Sequence, residues 1–246
     1  VAFYHSDLQQ VIGHRFGALA ARAAAKYAST LYRQFDMVLA PSQAMMQRLR
    51  ELGLERVRHQ PLGVDTAIFT PQRRDEGLRA RLGLSKEARL LVYAGRFAHE
   101  KKLPLLLEAV HRLGYPYYLL MVGSGIHVPP SPRLIQLPFQ RNPMTLASIL
   151  ASCDLLVHPG DQETFGLVVL EAMACGIPVV GMAAGGVAEL VDDDVGLLVR
   201  PGSASLLADA IHDVFESERA LLGANARRKV LEKYDWRLII PQLIAQ

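Results

Sequence analysis

Cysteine, long apolar runs and a secretory leader are scarce or missing in this chain of 246 residues, and each absence removes a class of protein. The two cysteines, Cys153 and Cys175, cannot build a disulfide framework and fit a reducing compartment. No stretch approaches the ~18 consecutive apolar residues of a membrane-spanning helix, and no basic segment followed by an apolar one indicates a signal peptide. Glycine and proline, with 19 and 14 residues, are at ordinary levels, which excludes a collagenous or low-complexity chain.

Several catalytic signatures are also missing. The sequence has no Gly-x-Ser-x-Gly elbow, no Walker loop and no His-Glu-x-x-His, so it offers no support for a hydrolase, a nucleotide triphosphatase or a zinc protease. Gly123 and Gly125 follow an apolar run, but Val128 stands where a dinucleotide fingerprint needs its third glycine. No acidic residue for the ribose lies between Gly125 and Asp154. The two glycines predict instead that a base or a sugar lies close to the backbone.

The positive charge is concentrated near the start of the chain. The first 60 residues contain eight Lys and Arg against four acidic residues, whereas the remainder contains 19 against 20. Arg15, Arg22, Lys26 and Arg33 lie on one predicted helix, at about residues 15–33. A solvated helix face is the simplest interpretation, and contact with a membrane surface or an anionic substrate is the alternative.

Apolar runs alternate with amphipathic stretches, which predicts βαβ units and an α/β fold with a parallel sheet. The strands are predicted at 1–5, 37–40, 57–60, 90–94, 117–122, 134–137, 155–158, 178–181 and 197–199. The helices are predicted at 15–33, 42–52, 102–113, 143–153, 167–174, 205–216, 218–233 and 235–245. Residues 1–70 are interpreted as the back part of one Rossmann-like domain with its linker, and 71–233 as a complete second one. Residues 234–246 are predicted to return as a helix toward the first domain.

Polar residues follow the ends of the predicted strands, where open parallel sheets bind ligands. Arg96 follows Gly95 directly after the strand at 90–94, and Lys101 stands five residues further on. A guanidinium and an ammonium can both bind a phosphoryl group. An ordinary charged loop is the alternative. His5 ends the first strand, and it is either a structural residue or a catalytic one.

The most specific segment runs from residue 158 to residue 178. Glu163 stands in its loop and Glu171 lies two turns into its helix, on an apolar face where an acid needs a partner such as a ligand hydroxyl. The unpaired amides of Phe165, Gly166 and Leu167 predict an anion site at the start of the helix. The alternative interpretation is structural: Glu163 only caps the helix, and Glu171 is an acid on an apolar helix face without a function.

Together these motifs resemble the retaining glycosyltransferases of the GT-B type, glycosyltransferase family 4. The resemblance covers nearly the whole chain, and the pair of glutamates separated by seven residues is its most specific part. The supporting motifs are Gly95-Arg96 with Glu100-Lys101, Val122-Gly123-Ser124-Gly125, Gly185-Gly186-Val187-Ala188-Glu189, Gly196-Leu197-Leu198-Val199 and Pro61-Leu62-Gly63-Val64-Asp65.

The resemblance implies transfer of a hexose, preferably mannose, from a nucleotide-diphosphate sugar to a glycan or lipid-linked acceptor with retained configuration. It implies that Arg96 and Lys101 hold the diphosphate and that Glu171 holds the ribose hydroxyls. Glu163 would orient the sugar, and His5 would be the active-site histidine of the acceptor-side domain. The remaining donor-binding residues are Gly95, Gly123, Gly125, Thr164, Phe165, Gly166 and Leu167.

The resemblance further implies no metal or other cofactor at the diphosphate and no nucleic-acid partner. We expect a cytoplasmic location, with peripheral contact at the inner membrane face through the basic N-terminal region. The family's usual opening strand and glycine-rich loop do not precede Val1, so we expect an N-terminally incomplete chain that is inactive alone. A binding fragment without activity and a nucleotide-sugar epimerase of the same fold remain the alternatives.

Overall fold

The chain forms two separate parallel sheets in the computed structural model, which describes residues 1–245 apart from the side chains at positions 11 and 14. The strands β1 to β9 are Ala2–Phe3, Val38–Ala40, Val57–His59, Arg89–Phe97, Tyr117–Gly125, Leu134–Leu137, Leu155–His158, Val179–Met182 and Gly196–Val199. The helices α1 to α11 are Leu8–Phe16, Ala18–Tyr32, Gln43–Glu51, Leu78–Arg81, Leu103–Leu113, Pro143–Ser152, Leu167–Ala174, Val187–Leu190, Ala204–Glu216, Arg219–Lys233 and Trp236–Ile244. The α/β class is confirmed, because the paired strands within each sheet are parallel.

The three-stranded sheet has the order β1-β2-β3 and carries its own small core around Tyr4 and Leu49. The prediction of one helix at 15–33 is wrong. Two helices, α1 and α2, meet at Gly17, whose φ of 85° ends the first of them. Asp7 begins α1, because its side chain accepts a hydrogen bond from the amide of Gln10.

The six-stranded sheet has the order β6-β5-β4-β7-β8-β9. The chain order reverses at β4, since β5 and β6 lie on one side of it and β7 to β9 on the other. Ligands of open parallel sheets bind beside such a reversal, at the carboxyl ends of the strands. The loops after β4 and β7 therefore meet where a ligand is expected.

Apolar residues cover both faces of this sheet. Along β4, Leu90 and Val92 belong to one buried cluster, whereas Leu91 and Tyr93 belong to another. A strand covered on both faces needs apolar residues at every position, which explains the continuous apolar runs in the sequence. β4 and β5 each extend three residues beyond their predicted carboxyl ends, because they remain paired as far as Phe97 and Gly125.

The end of the chain returns to the linker between the sheets. The amide of Val64 donates to the carbonyl of Tyr234 at 2.8 Å, and the amide of Trp236 donates to the carbonyl of Val64 at 3.2 Å. Thr66 donates a short hydrogen bond to the buried carboxylate of Asp235. Contact of the last helix with the first sheet stays a prediction, and residue 246 lies outside the described residues. Among the described helices, none combines the length and the apolarity that crossing a bilayer requires.

Candidate active site

Three adjoining cavities follow the crevice between the loops after β4 and β7. The first has a volume of about 710 Å³ and lies between the two sheets, with His5 and Gln10 on one wall and Arg96 and Glu163 among the residues on the other. The second, of about 310 Å³, shares Arg96, Lys101 and Glu163 with the first. The third, of about 360 Å³, shares residues 94, 95, 167 and 168 with the second. The cavities thus form one continuous path.

Glu163 lies at the centre of this path. Its Oε2 is 2.5 Å from Nζ of Lys101 and 3.1 Å from Nε2 of His158. Burial raises the pKa of Glu163, but the hydrogen bond with His158 and the charge of Lys101 outweigh burial and hold the pKa at about 2. The carboxylate is therefore ionised and fixed at neutral pH. The structure brings Glu163 and Lys101 together, as a direct pair that the sequence analysis did not predict.

Arg96 lies on the same side of the crevice, at the edge of the first two cavities. Its guanidinium is 2.7 Å from the carboxylate of Glu100, and its side chain is 66% exposed. The hydroxyl of Tyr93 donates to the carbonyl of Arg96 at 2.7 Å, so the backbone of the loop is fixed while the side chain remains accessible. Gly95 lines both the second and the third cavity.

Glu171 lies on α7 and lines the third cavity. Burial raises the pKa of its carboxyl group to about 7. No residue that the structure describes donates a hydrogen bond to this carboxylate. The sequence analysis expected a buried acid in need of a partner at this position, and the structure places the acid beside an open cavity.

The beginning of α7 lines the second cavity. Gly166 precedes the helix with a φ of 100°, and Leu167 and Val168 line the cavity. The amides of a first helical turn have no partner within the helix, so these amides can bind an anion. The side chain of Phe165 is buried against Tyr234, with ring centroids 6.3 Å apart, so only its backbone can contribute.

His5 is exposed and lines the first cavity, opposite Lys101 and Glu163. Its carbonyl accepts a hydrogen bond of 3.3 Å from the hydroxyl of Thr164. A residue from the first sheet and the residue beside Glu163 are therefore in direct contact. The structure brings His5 into the same cavity as the proposed donor-binding residues.

Gly123 and Gly125 are required for strand pairing. A Cβ at Gly123 would lie 1.9 Å from the carbonyl oxygen of Gly95, and one at Gly125 would lie 2.0 Å from that of Phe97. Glycine therefore permits the close pairing of β4 with β5. Neither glycine lines the three cavities, and their contact with a donor stays a prediction.

Sequence reasoning missed two residues of the site. His158 is 2% exposed at the end of β7 and supports Glu163, and its place at the carboxyl end of a strand was the available signal. Arg141 lines the third cavity and forms no ion pair or hydrogen bond with another described residue. It stands one residue before Asn142, the N-cap of α6.

The fold and this crevice define an α/β protein that can bind a ligand between two parallel sheets, and comparison with known proteins identifies the family. Residues 75–230 match the family described as Glycosyl transferases group 1. The chain belongs to this family, which confirms the resemblance drawn from its motifs.

The chain is similar to several characterised proteins. A GDP-mannose-dependent alpha-mannosyltransferase of Mycobacterium tuberculosis is 35% identical over 251 residues, which cover 99% of this chain and 65% of that protein. A D-inositol 3-phosphate glycosyltransferase of Geodermatophilus obscurus is 36% identical over 207 residues, which cover 75% of this chain and 45% of that protein. The chain spans between 43% and 65% of the length of the curated relatives that it matches first.

The fold is similar to that of Anabaena Alr3699/HepE, which was solved in complex with UDP and glucose. The TM-score is 0.84 at 25% sequence identity, over 99% of this chain and 70% of that chain. The GT-B architecture expected from the sequence is thereby confirmed.

Proposed function

We propose that this chain is the donor-binding part of a retaining mannosyltransferase, which moves mannose from GDP-mannose to a hydroxyl of a glycan or lipid-linked acceptor. The continuous path of three cavities carries the proposal. The path runs from the third cavity, which is mostly apolar and contains one acid, through the second cavity, which contains cations and free amides. It ends in the first cavity, between the sheets. A nucleoside, a diphosphate and a sugar follow one another in the same order along the donor.

The third cavity supports a nucleoside. Its walls are mostly apolar, with Val122 and Leu146 on the inside and the exposed ring of Phe139 at the edge, as a flat base requires. The ribose hydroxyls would donate to the free carboxylate of Glu171. The guanidinium of Arg141 has only donors, which match the two acceptors O6 and N7 of guanine. Adenine presents a donor at the corresponding position, and uracil has a single acceptor there.

The second cavity supports the diphosphate. Arg96, Lys101 and the first amides of α7 would surround it and stabilise the negative charge that grows as the glycosidic bond breaks. We propose that these groups, rather than a metal ion, balance the diphosphate. Lys101 would bind a phosphoryl oxygen while it remains paired with Glu163, because an ammonium has three donors.

The first cavity supports the sugar and the acceptor. Glu163, ionised and held by two partners, would accept hydrogen bonds from sugar hydroxyls and orient the ring. The acceptor would enter between His5 and the diphosphate, on the face of the sugar that the diphosphate leaves. Attack from that face retains the anomeric configuration. The departing diphosphate is then the nearest base for the proton of the acceptor hydroxyl.

The choice of base is tested by thermal shift with GDP, UDP and ADP. We expect GDP to stabilise most, since a ligand at 100 times its dissociation constant adds ~2.7 kcal/mol. Arg141→Met should weaken GDP binding about ten-fold and leave UDP binding nearly unchanged. Arg200→Met, at an exposed arginine outside the three cavities, is the matched control. A larger shift with UDP would overturn the guanine assignment, and no shift with any nucleotide would overturn the donor site.

A second candidate is a domain that binds a nucleotide sugar without transferring it. It is favoured by the second and third cavities, whose lining comes entirely from residues 69–171 and so does not need the first sheet. Incubation with radiolabelled GDP-mannose and candidate acceptors separates the two. Labelled product at a rate comparable to that of a longer relative supports transfer, whereas binding without product supports the second candidate.

We also propose a cytoplasmic location and peripheral contact with a membrane through the turn between α1 and α2. Phe16 and Leu19 are 66% and 80% exposed there, next to Arg15 and Arg22. Apolar side chains beside cations suit an anionic bilayer surface. Arg15 also lines the first cavity, so an acceptor carried in the bilayer would reach the site directly.

Vesicle sedimentation tests this contact. We expect binding to anionic vesicles, and the double variant Phe16→Ser with Leu19→Ser should lower partitioning by on the order of ten-fold, because two apolar side chains no longer insert. Leu221→Ser, at a leucine 53% exposed on α10, is the control. Equal partitioning of the double variant and the control would exclude this turn as the contact.

A further inference from the structure

One carboxylate of the larger sheet's domain binds the start of a helix of the smaller one. The amides of Gln43 and Ala44 donate to the two oxygens of Glu189 at 2.8 and 2.9 Å. Gln43 begins α3, and Glu189 lies on α8. The first amides of a helix have no partner within it and carry a partial positive charge, so a carboxylate that accepts two of them forms a strong contact.

The contact belongs to a network that reaches the candidate active site. The hydroxyl of Ser42 donates to the carbonyl of Thr164 at 2.7 Å, and the hydroxyl of Thr164 donates to the carbonyl of His5 at 3.3 Å. The amide of Gly186 donates to the carbonyl of Glu163 at 2.8 Å. The segment that carries Glu189 therefore binds both α3 and the loop that contains Glu163.

Close packing explains the glycine that precedes α8. A Cβ at Gly186 would lie 2.4 Å from Cα of Phe165, so a larger residue would push α8 away from this loop. Glu189 would then move away from α3 as well. The position of the carboxylate is thus fixed by the same loop that forms the site.

The buried apolar core of the smaller half is separate from the two clusters of the larger half. The buried apolar cluster of the smaller half consists of described residues between 4 and 57 and includes none from the larger half. Interfaces made mainly by polar contacts separate readily, so such domains move relative to each other unless a specific contact holds them. Glu189 accepts two hydrogen bonds between the domains, and it accepts them through a charged group.

We infer that Glu189 is a positioning residue that holds the two domains closed, so that His5 faces Glu163 across the first cavity. The contact itself is independent of any ligand, and its effect on catalysis rests on the proposed function. A donor or acceptor that touches both walls binds the closed arrangement better. Loss of the contact lowers the closed fraction, and the apparent affinity falls with that fraction.

The variant Glu189→Gln tests the inference, with Glu218→Gln as the control. Both substitutions remove one negative charge, but Glu218 is exposed and makes no side-chain cap bond. Spin labels at Lys26→Cys and Arg200→Cys, exposed positions of the two halves, report the distance between the domains. The native cysteines are buried, so the labels react at the introduced sites.

We expect one narrow distance distribution in the unsubstituted protein and in Glu218→Gln, and a longer, broader one in Glu189→Gln. A carboxylate that only capped α3 would alter amide exchange at residues 43 and 44 but leave this distance unchanged. Identical distributions in all three proteins would overturn the inference. This result needs no nucleotide, so it stands whether or not the proposed function is correct.

Donor binding provides the second measurement. GDP-mannose should bind Glu189→Gln about ten-fold more weakly than it binds Glu218→Gln. Excess donor should return the label distance to its shorter value. Equal donor affinity of Glu189→Gln and the unsubstituted protein would refute the link between closure and the donor site.

Discussion

Lys101→Met is expected to weaken GDP binding on the order of 100-fold, because under the proposed function it would remove a phosphate ligand and leave a buried carboxylate facing the diphosphate. Lys101 is 2.5 Å from Glu163, and both side chains are 18% exposed. The unpaired carboxylate would repel the phosphoryl oxygens that the pair now attracts. Loss of one partner also removes a charge that keeps the pKa of Glu163 low, so this pKa should rise. Calorimetric titration with GDP measures the first effect.

Two further variants separate the causes. Lys102→Met makes the same change one residue later, at a side chain that lines none of the three cavities, and should bind GDP normally. The double variant Lys101→Met with Glu163→Gln removes the repulsion but not the lost phosphate contact, so it should recover part of the affinity. GDP affinity of Lys101→Met equal to that of Lys102→Met would show that the diphosphate binds elsewhere.

Much of the fold follows from the sequence because strands covered on both faces have continuous apolar runs. The strands at 134–137 and 155–158 and the helix at 167–174 have the predicted bounds. The convergence of Arg96, Lys101 and Glu163 also follows, since all three lie at or after the carboxyl ends of parallel strands in one sheet. Strand order then decides which loops meet.

The features that were not predicted are those for which one sequence pattern is compatible with more than one structure. A glycine that admits a ligand and one that admits a neighbouring strand have the same sequence pattern, so the requirement for glycine in the pairing of β4 with β5 at Gly123 was not predicted. Gly17 could have continued a helix at a cost of about 1 kcal/mol, so its sequence alone does not end one. Lys101 and Glu163 are 62 residues apart, and the periodicity of apolar residues carries no information about a contact over that separation.

The two glutamates of the motif have opposite environments. Glu163 has a pKa of about 2 because His158 and Lys101 overcome the effect of burial. Glu171 has a pKa of about 7, because burial is not opposed by a partner. At pH 7 the first carboxylate is therefore ionised, whereas the second is only partly ionised. If the second carboxylate holds the ribose hydroxyls, as we propose, donor binding depends on pH.

We expect GDP-mannose to bind about ten-fold more weakly near pH 6 than near pH 8, because protonation of Glu171 competes with the ribose hydroxyls. GDP-mannose is the suitable ligand, since both of its phosphoryl groups are esterified. A terminal phosphate would itself titrate near pH ~6 and obscure the effect. Calorimetric titration across this range measures the change.

The stability of the ligand-free protein should change in the opposite direction. The folded pKa of Glu171 is raised from 4.5 to about 7, so its contribution to stability is full below pH 4.5 and is lost as the pH rises through 7. This loss amounts to at most about 3 kcal/mol. Glu171→Gln cannot ionise and should abolish both dependences, while Glu189→Gln should leave both in place. A donor affinity that stays constant between pH ~6 and ~8 in the unsubstituted protein would place the ribose away from Glu171, because a neutral and a charged carboxyl group cannot bind the same hydroxyls equally.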